Sequence, residues 1–357
     1  ITKPFTAAAI LRLQELGKLK TSDPVSRFFD GVPADKAAMT LEHLLTHSSG
    51  LESDFSPTDY EPTTREEYAR RALASRLLFA PGQGYEYANS GYSLLAAVVE
   101  KTTGKDYEAA LAELVLKPAG MAETGYRAPR WDASRVAHGY EEGEDWGTIL
   151  GRIQGPGAPF WALRGNGGLH TTLADMVRWD AALRTDAVLT AASRESYFRP
   201  RVAEGPGAVS HYAFGWAIER TPHGTLVQHN GGNGIYVAEF MRFPDENAML
   251  FLTSTDTTLT ATPVVEVLER LLFGGKATLP PRVVDLAPES VRALAGEWRL
   301  PQGGTLTLAA DESALAVTPA GQEAFSALAS ASAAQAARLA DLSRRTAEIA
   351  AKSFAGD

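Results

Sequence analysis

Ile1-Thr2-Lys3-Pro4-Phe5-Thr6-Ala7-Ala8-Ala9-Ile10 opens the chain, and Leu13 and Leu16 extend its apolar pattern as far as Gly17. Proline suits a first helical turn, where its missing N–H costs nothing. Alanine favours the helix interior, and Gly17 reads as a stop, so a helix is expected over 4–16. Residues three apart share a helix face. A serine directly before Ile1 would therefore lie beside Lys3 and complete a Ser-x-x-Lys spacing. The positive end of the helix dipole would favour its developing alkoxide. A lysine is usually a solvated surface cation, but burial and a neighbouring cation can strip its proton. It can then activate serine, which is a weak nucleophile on its own.

Two further fragments fit this chemistry. Tyr87-Ala88-Asn89 follows a Pro/Gly-rich stretch, Phe79-Ala80-Pro81-Gly82-Gln83-Gly84, and precedes an apolar helix from about Tyr92. His229-Asn230-Gly231-Gly232 follows Thr225-Leu226-Val227-Gln228, which reads as a strand. A glycine there lets another backbone come close. Taken singly, Tyr87 could be a packing tyrosine and His229 an ordinary turn histidine.

In this order the three fragments resemble the penicillin-recognising serine hydrolases. The resemblance is to the class C β-lactamase-like branch, with its esterases, D-aminopeptidases and DD-peptidases. Supporting stretches are Leu44-Leu45-Thr46-His47-Ser48-Ser49-Gly50-Leu51, Gly167-Gly168-Leu169-His170-Thr171-Thr172, Phe214-Gly215-Trp216 and Arg242-Phe243-Pro244-Asp245. The resemblance implies an acyl-enzyme route on a carboxylic ester or a D-amino-acid peptide or amide. A DD-peptidase or β-lactamase, or an inert binding module of the same fold, are the alternatives. It implies Tyr87 as general base, its phenol acidified by Lys3 and by a cation or donor at His229. It implies that Asn89 bonds Lys3 and the substrate carbonyl, and that Asn230 and Gly231 line the substrate. The N–H groups of Gly232 and of the serine would form the oxyanion hole, a device that contributes a few kcal/mol.

Competing chemistries are weaker. His43 and His47 have a spacing that can hold zinc, but Leu44 stands where a metalloprotease needs glutamate, so no metal is expected. No Gly-x-Ser-x-Gly elbow occurs. The glycines at 231, 232 and 234 lack the Gly-Lys-Ser/Thr of a phosphate loop. Ser90 is the internal serine nearest the Tyr87 motif and reads as a helix N-cap.

The 357 residues carry a net charge of −9 and no cysteine. Acidic balance argues against nucleic acid and anionic membrane partners. Absent cysteine excludes disulfides and thiol catalysis, and suits the periplasm or the cell exterior without requiring either. No run is long and apolar enough to span a bilayer. No cofactor is expected, the partner being a small-molecule ester, amide or D-peptide, and oligomeric state is open.

Helices are expected near 4–16, 40–47, 64–78, 90–102, 106–115, 172–184 and 262–273, with Thr64/Glu67 and Thr172/Asp175 as capping pairs. Strands are expected near 211–219, 225–229, 235–243 and 248–254, the last three as an antiparallel meander. A loop-rich stretch with Trp131, Trp146 and Trp161 is expected over 127–164. The fold class expected is α/β of the α+β type: an antiparallel sheet flanked by helices plus a helical lobe, β-lactamase/transpeptidase-like. Residues 1–275 form the hydrolase domain without its N-terminal strands, 276–287 a linker, and 288–357 a small strand-plus-helix appendage. Residues 294–300 and 304–308 read as its strands and 323–354 as an alanine-rich helix.

Overall fold

The computed structural model describes residues 1–55, 58–141, 143–152, 160–255, 261–276, 288–300, 303–310 and 315–320. It divides into two compact units, Ile1–Asp256 and Thr257–Asp357. The division falls ahead of the helix expected near 262–273.

The first unit opens with α1 (Thr2–Glu15), whose residues from Thr2 to Leu11 are all buried. A helix buried on every side belongs in a core rather than on a surface. Next come α2 (Leu41–Leu45), α3 (Arg65–Ala74), α4 (Asn89–Thr103) and α5 (Tyr107–Leu111). Helix α4 is buried from Ser90 to Glu100 and packs against α1. Thr64 caps α3 by accepting the Glu67 N–H. The loop-rich stretch holds a hairpin of β1 (Gly139–Glu141) and β2 (Glu144–Gly147), then a single turn, α6 (Ile149–Arg152).

Helix α7 (Leu173–Ala182) starts at Thr172, whose side chain accepts the Asp175 N–H. Asp175 does not return the bond to the cap. Its buried carboxylate instead accepts from the Glu123 N–H and the Thr124 hydroxyl, pinning the Met121–Tyr126 turn to α7. Helix α8 (Ala191–Phe198) follows; its weakly patterned sequence had not suggested a helix.

The sheet is a continuous antiparallel meander. Its strands are β3 (Val202–Ala203), β4 (His211–Tyr212), β5 (Ala217–Thr221), β6 (Gly224–Gly232), β7 (Val237–Phe243) and β8 (Ala248–Ser254). The single strand expected over 211–219 is interrupted at Ala213–Trp216. Gly215 adopts φ +81° there, and a β-carbon on it would lie 3.0 Å from the Pro4 backbone. The break therefore lets the first turn of α1 approach the sheet, which brings Lys3 towards β6.

The second unit contains α9 (Ala261–Leu272), α10 (Pro288–Ala293) and a three-stranded antiparallel sheet. Its strands are β9 (Gly296–Arg299), β10 (Thr305–Ala310) and β11 (Leu315–Ala320), with β10 central. The helix expected over 323–354 and most of the expected linker lie outside the described residues. Among the described residues no helix is long and apolar enough to cross a membrane.

A buried ion pair ties α7 to the sheet: the Arg242 Nε–H donates to Asp180 Oδ1 at 2.6 Å, with Arg242 2 % and Asp180 7 % exposed. Removing one partner leaves the other charge buried and unpaired, which costs about 3–5 kcal/mol. Asp180→Ala should therefore lower the urea midpoint by an amount equal to about 3–5 kcal/mol. A loss below about 1 kcal/mol, the range of exposed pairs, would contradict this.

Candidate active site

Three stretches far apart in sequence meet around a cavity of about 740 Å³. Lys3, Tyr87, Asn89, His229, Asn230, Gly231 and Gly232 all line it, whereas Ser90, His43 and His47 are not among its lining residues. Ile1 lines it too, and its backbone nitrogen lies 2.9 Å from where a β-carbon on Gly231 would stand. Glycine at 231 is thus what allows β6 to pass directly beside the start of α1.

Lys3 is 3 % exposed. Its ammonium donates to Asn89 Oδ1 at 2.6 Å and to the Asn166 carbonyl at 3.2 Å, and lies 4.5 Å from the Tyr87 ring centre. Burial pulls its pKa down to about 7, against the opposing pull of Asp54 and Asp59. The Asn89 amide is committed at both ends, since its Nδ2–H donates to Asp54 at 3.1 Å. Asn166 is itself fixed, its Nδ2–H group donating to Ser93 and to the Ala162 carbonyl.

His229 is 6 % exposed in the middle of the sheet, on β6. Its Nδ1 sits 2.5 Å from the Asn230 carbonyl oxygen, which can only accept, so Nδ1 carries the proton. The Nε2 lone pair therefore accepts, from the Tyr212 hydroxyl at 3.1 Å and, at the longer distance of 3.5 Å, from Tyr87. Burial pushes the imidazole pKa well below its ordinary value, and the Lys3 charge adds to this. His229 is a neutral acceptor here, not the donor or cation expected from the motif.

Tyr87 also departs from expectation. Desolvation around its hydroxyl, and then the charge of Glu204, push its phenol above the ordinary tyrosine range, although the side chain as a whole is 37 % exposed. Ser90 is not the N-cap of α4; Ala88 holds that position, and the Ser90 hydroxyl donates to the Glu52 carbonyl at 2.6 Å, inside the helix. His43 accepts the Thr40 N–H in the cap of α2, and His47 accepts the Ala88 N–H.

Four contributors were not anticipated. Asp54 and Asp59 bear on Lys3 from a loop with no periodic signal. Asn166 presents a backbone carbonyl, which no side-chain pattern reveals, although it directly precedes the Gly167-Gly168-Leu169 stretch. Tyr212 lies beside the Phe214-Gly215-Trp216 landmark and could have been found only by assuming that the strand breaks there.

The Beta-lactamase family model matches residues 1–272, and the chain belongs to that family, whose members are serine hydrolases. Penicillin-binding protein 4* of Bacillus subtilis (strain 168) is 28 % identical over 308 residues, covering 82 % of this chain and 68 % of that protein. The D-alanyl-D-alanine-carboxypeptidase/endopeptidase AmpH of Escherichia coli (strain K12) is 26 % identical over 288 residues, covering 73 % and 70 %. The octameric penicillin-binding protein homologue from Pyrococcus abyssi shares the fold, with a TM-score of 0.68 at 22 % identity over 90 % of this chain and 75 % of that one.

The His229 assignment is open to direct measurement. Nitrogen-15 NMR of the imidazoles should show residue 229 as the neutral Nδ1–H tautomer at pH 7 and still neutral at pH 6, where an ordinary histidine is mostly charged. A doubly protonated ring at pH 6 would contradict the hydrogen-bond assignment.

Proposed function

We propose that this protein is an acyl-enzyme hydrolase of carboxylic esters or D-amino-acid amides and peptides, with a serine immediately before Ile1 as nucleophile and Lys3 as its base. The observation that carries this reading is the pairing of Lys3 with two acceptors. A neutral amine has two N–H donors and one lone pair. Asn89 and Asn166 take the two donors. The lone pair is then left for a hydroxyl, and the depressed pKa keeps much of the amine in that form at neutral pH.

Lys3 takes the serine proton as the serine oxygen bonds to the substrate carbonyl carbon. The carbonyl oxygen becomes the oxyanion, held by the Gly232 N–H and the serine's own N–H. The leaving alcohol or amine departs with a proton delivered through the Tyr87 hydroxyl, whose high pKa keeps it protonated and able to donate. Water then attacks the acyl carbon with Lys3 again as base, the bond from that carbon to the serine oxygen breaks, and Lys3 returns the proton to the serine oxygen as the acid leaves. This order of roles inverts the one expected from the motif, in which the Tyr87 phenolate was the base.

Substrate preference follows from His229. A neutral imidazole whose Nδ1–H is spent on Asn230 offers a carboxylate neither charge nor donor. Asp59 and Glu204 also line the cavity, and its arginine, Arg135, is paired with Glu123 at 2.9 Å. Substrates with a free carboxylate beside the scissile bond, as in β-lactams and D-alanyl-D-alanine termini, are disfavoured relative to esters and amides without one.

The full-length protein should take one fluorophosphonate label on the residue preceding Ile1. It should turn over a short-chain nitrophenyl ester or a D-alanyl anilide faster than nitrocefin. No label and no turnover would favour a non-catalytic binding module. Lys3→Met should lower kcat about 10²–10⁴-fold.

The pH dependence tests Lys3 as the base. Only deprotonated Lys3 is active, so kcat/KM should rise with pH through about 7 and level off above it. A rising limb near the ordinary lysine or tyrosine values, at about pH 10, would contradict Lys3 as the base.

A further inference from the structure

Resting on the hydrolase reading, the geometry points to His47 as a positioning residue for the Tyr87–Asn89 segment. His47 directly follows Thr46, the C-cap of α2, and adopts φ +56°. That position normally goes to glycine, or else to asparagine, because a β-carbon is disfavoured in the left-handed region. A glycine would serve the turn with less strain. His47 is also 1 % exposed, and its Nδ1 accepts a hydrogen bond, so Nε2 carries the proton. Among the described residues that Nε2–H has no hydrogen-bond partner. Two unfavourable features are thus kept at one residue, a pattern typical of functional sites rather than packing sites.

What the side chain does is local and specific. The His47 carbonyl accepts the Glu86 N–H at 2.9 Å, and its Nδ1 accepts the Ala88 N–H at 3.0 Å. These two bonds grip the backbone on either side of Tyr87. The imidazole lies 4.2 Å from the Tyr87 ring centre and 4.5 Å from that of Tyr212, the tyrosine that donates to His229. His47 therefore sets where the Tyr87 hydroxyl sits relative to His229, and where α4 begins, with Asn89 as its first residue. It touches no reacting atom; it acts through Tyr87 and Asn89.

Three replacements of His47 in the full-length protein separate its parts. Asparagine accepts the left-handed backbone and can offer an oxygen to the Ala88 N–H. Glycine keeps the backbone and loses the side chain. Phenylalanine keeps a ring and loses the acceptor. His47→Gly and His47→Phe should lower kcat on the nitrophenyl ester about 10–100-fold per folded molecule, with KM within about twofold. His47→Asn should recover kcat to within about fivefold of the parent. Wild-type kcat in His47→Gly, or an equal loss in His47→Asn, would overturn the assignment.

A second readout does not depend on turnover. With 3-fluorotyrosine in place of tyrosine, the residue 87 resonance, assigned through Tyr87→Phe, should be sharp in the parent and in His47→Asn. It should shift or broaden in His47→Gly. An unmoved resonance would overturn the positioning role even in an inert protein. A parent that turns nothing over while the resonance still moves would contradict the hydrolase reading alone.

Discussion

A lysine amine held out of water at the start of the first helix is the constraint around which the first unit is organised. An ammonium in that setting is costly unless partners surround it. Its partners come from two distant places: the side chain at the start of α4 and a backbone carbonyl in the turn before α7. Each of those is fixed in turn. Arg164, joined to Glu100 and Asp106, and Tyr126, whose hydroxyl accepts the Gly165 N–H, hold the turn that presents Asn166. The Thr6 hydroxyl, one turn along α1 from Lys3, donates to the Gly165 carbonyl. The same helix therefore supplies the buried amine and one of the bonds that place its acceptor.

The second constraint is neutrality. The site gathers two histidines, several tyrosines and a lysine, yet burial pushes each histidine towards its uncharged form and each tyrosine towards its protonated form. Only Lys3 stands near its own titration point at neutral pH. With the histidines and tyrosines neutral, the amine is the natural proton acceptor among them, while Asp59, Glu204 and Arg135 bring charge to other parts of the cavity wall. Desolvation also explains why a tyrosine placed beside a lysine need not be a phenolate. The nearest carboxylates, Asp54 and Asp59, moderate the depression of the Lys3 pKa and keep it close to neutral pH.

Much of this was legible in the chain itself. The helix-forming, alanine-rich run of α1, the apolar patterns of α4 and α7 and the apolar strands β6 to β8 lie close to their expected spans. Lys3, Tyr87, Asn89 and His229 line one cavity. What sequence could not carry was the state of those residues. Whether His229 donates or accepts depends on a carbonyl one residue away and a hydroxyl on another strand. Whether Tyr87 is acidic depends on how much water reaches it. The break at Gly215 was hidden because 211–219 is uniformly apolar enough to read as one strand. Its cause is the backbone of Pro4, more than 200 positions away in sequence. Helix α8 escaped notice because its burial rests mainly on Tyr197, whose hydroxyl donates to the Pro4 carbonyl.

The most direct test of the central claim is to titrate the Lys3 side chain by carbon-13 NMR of its ε-methylene in lysine-labelled protein. The account predicts a midpoint near pH 7. A midpoint near the ordinary lysine value of about 10.4 would mean that the amine stays charged, and that Lys3 is not the base.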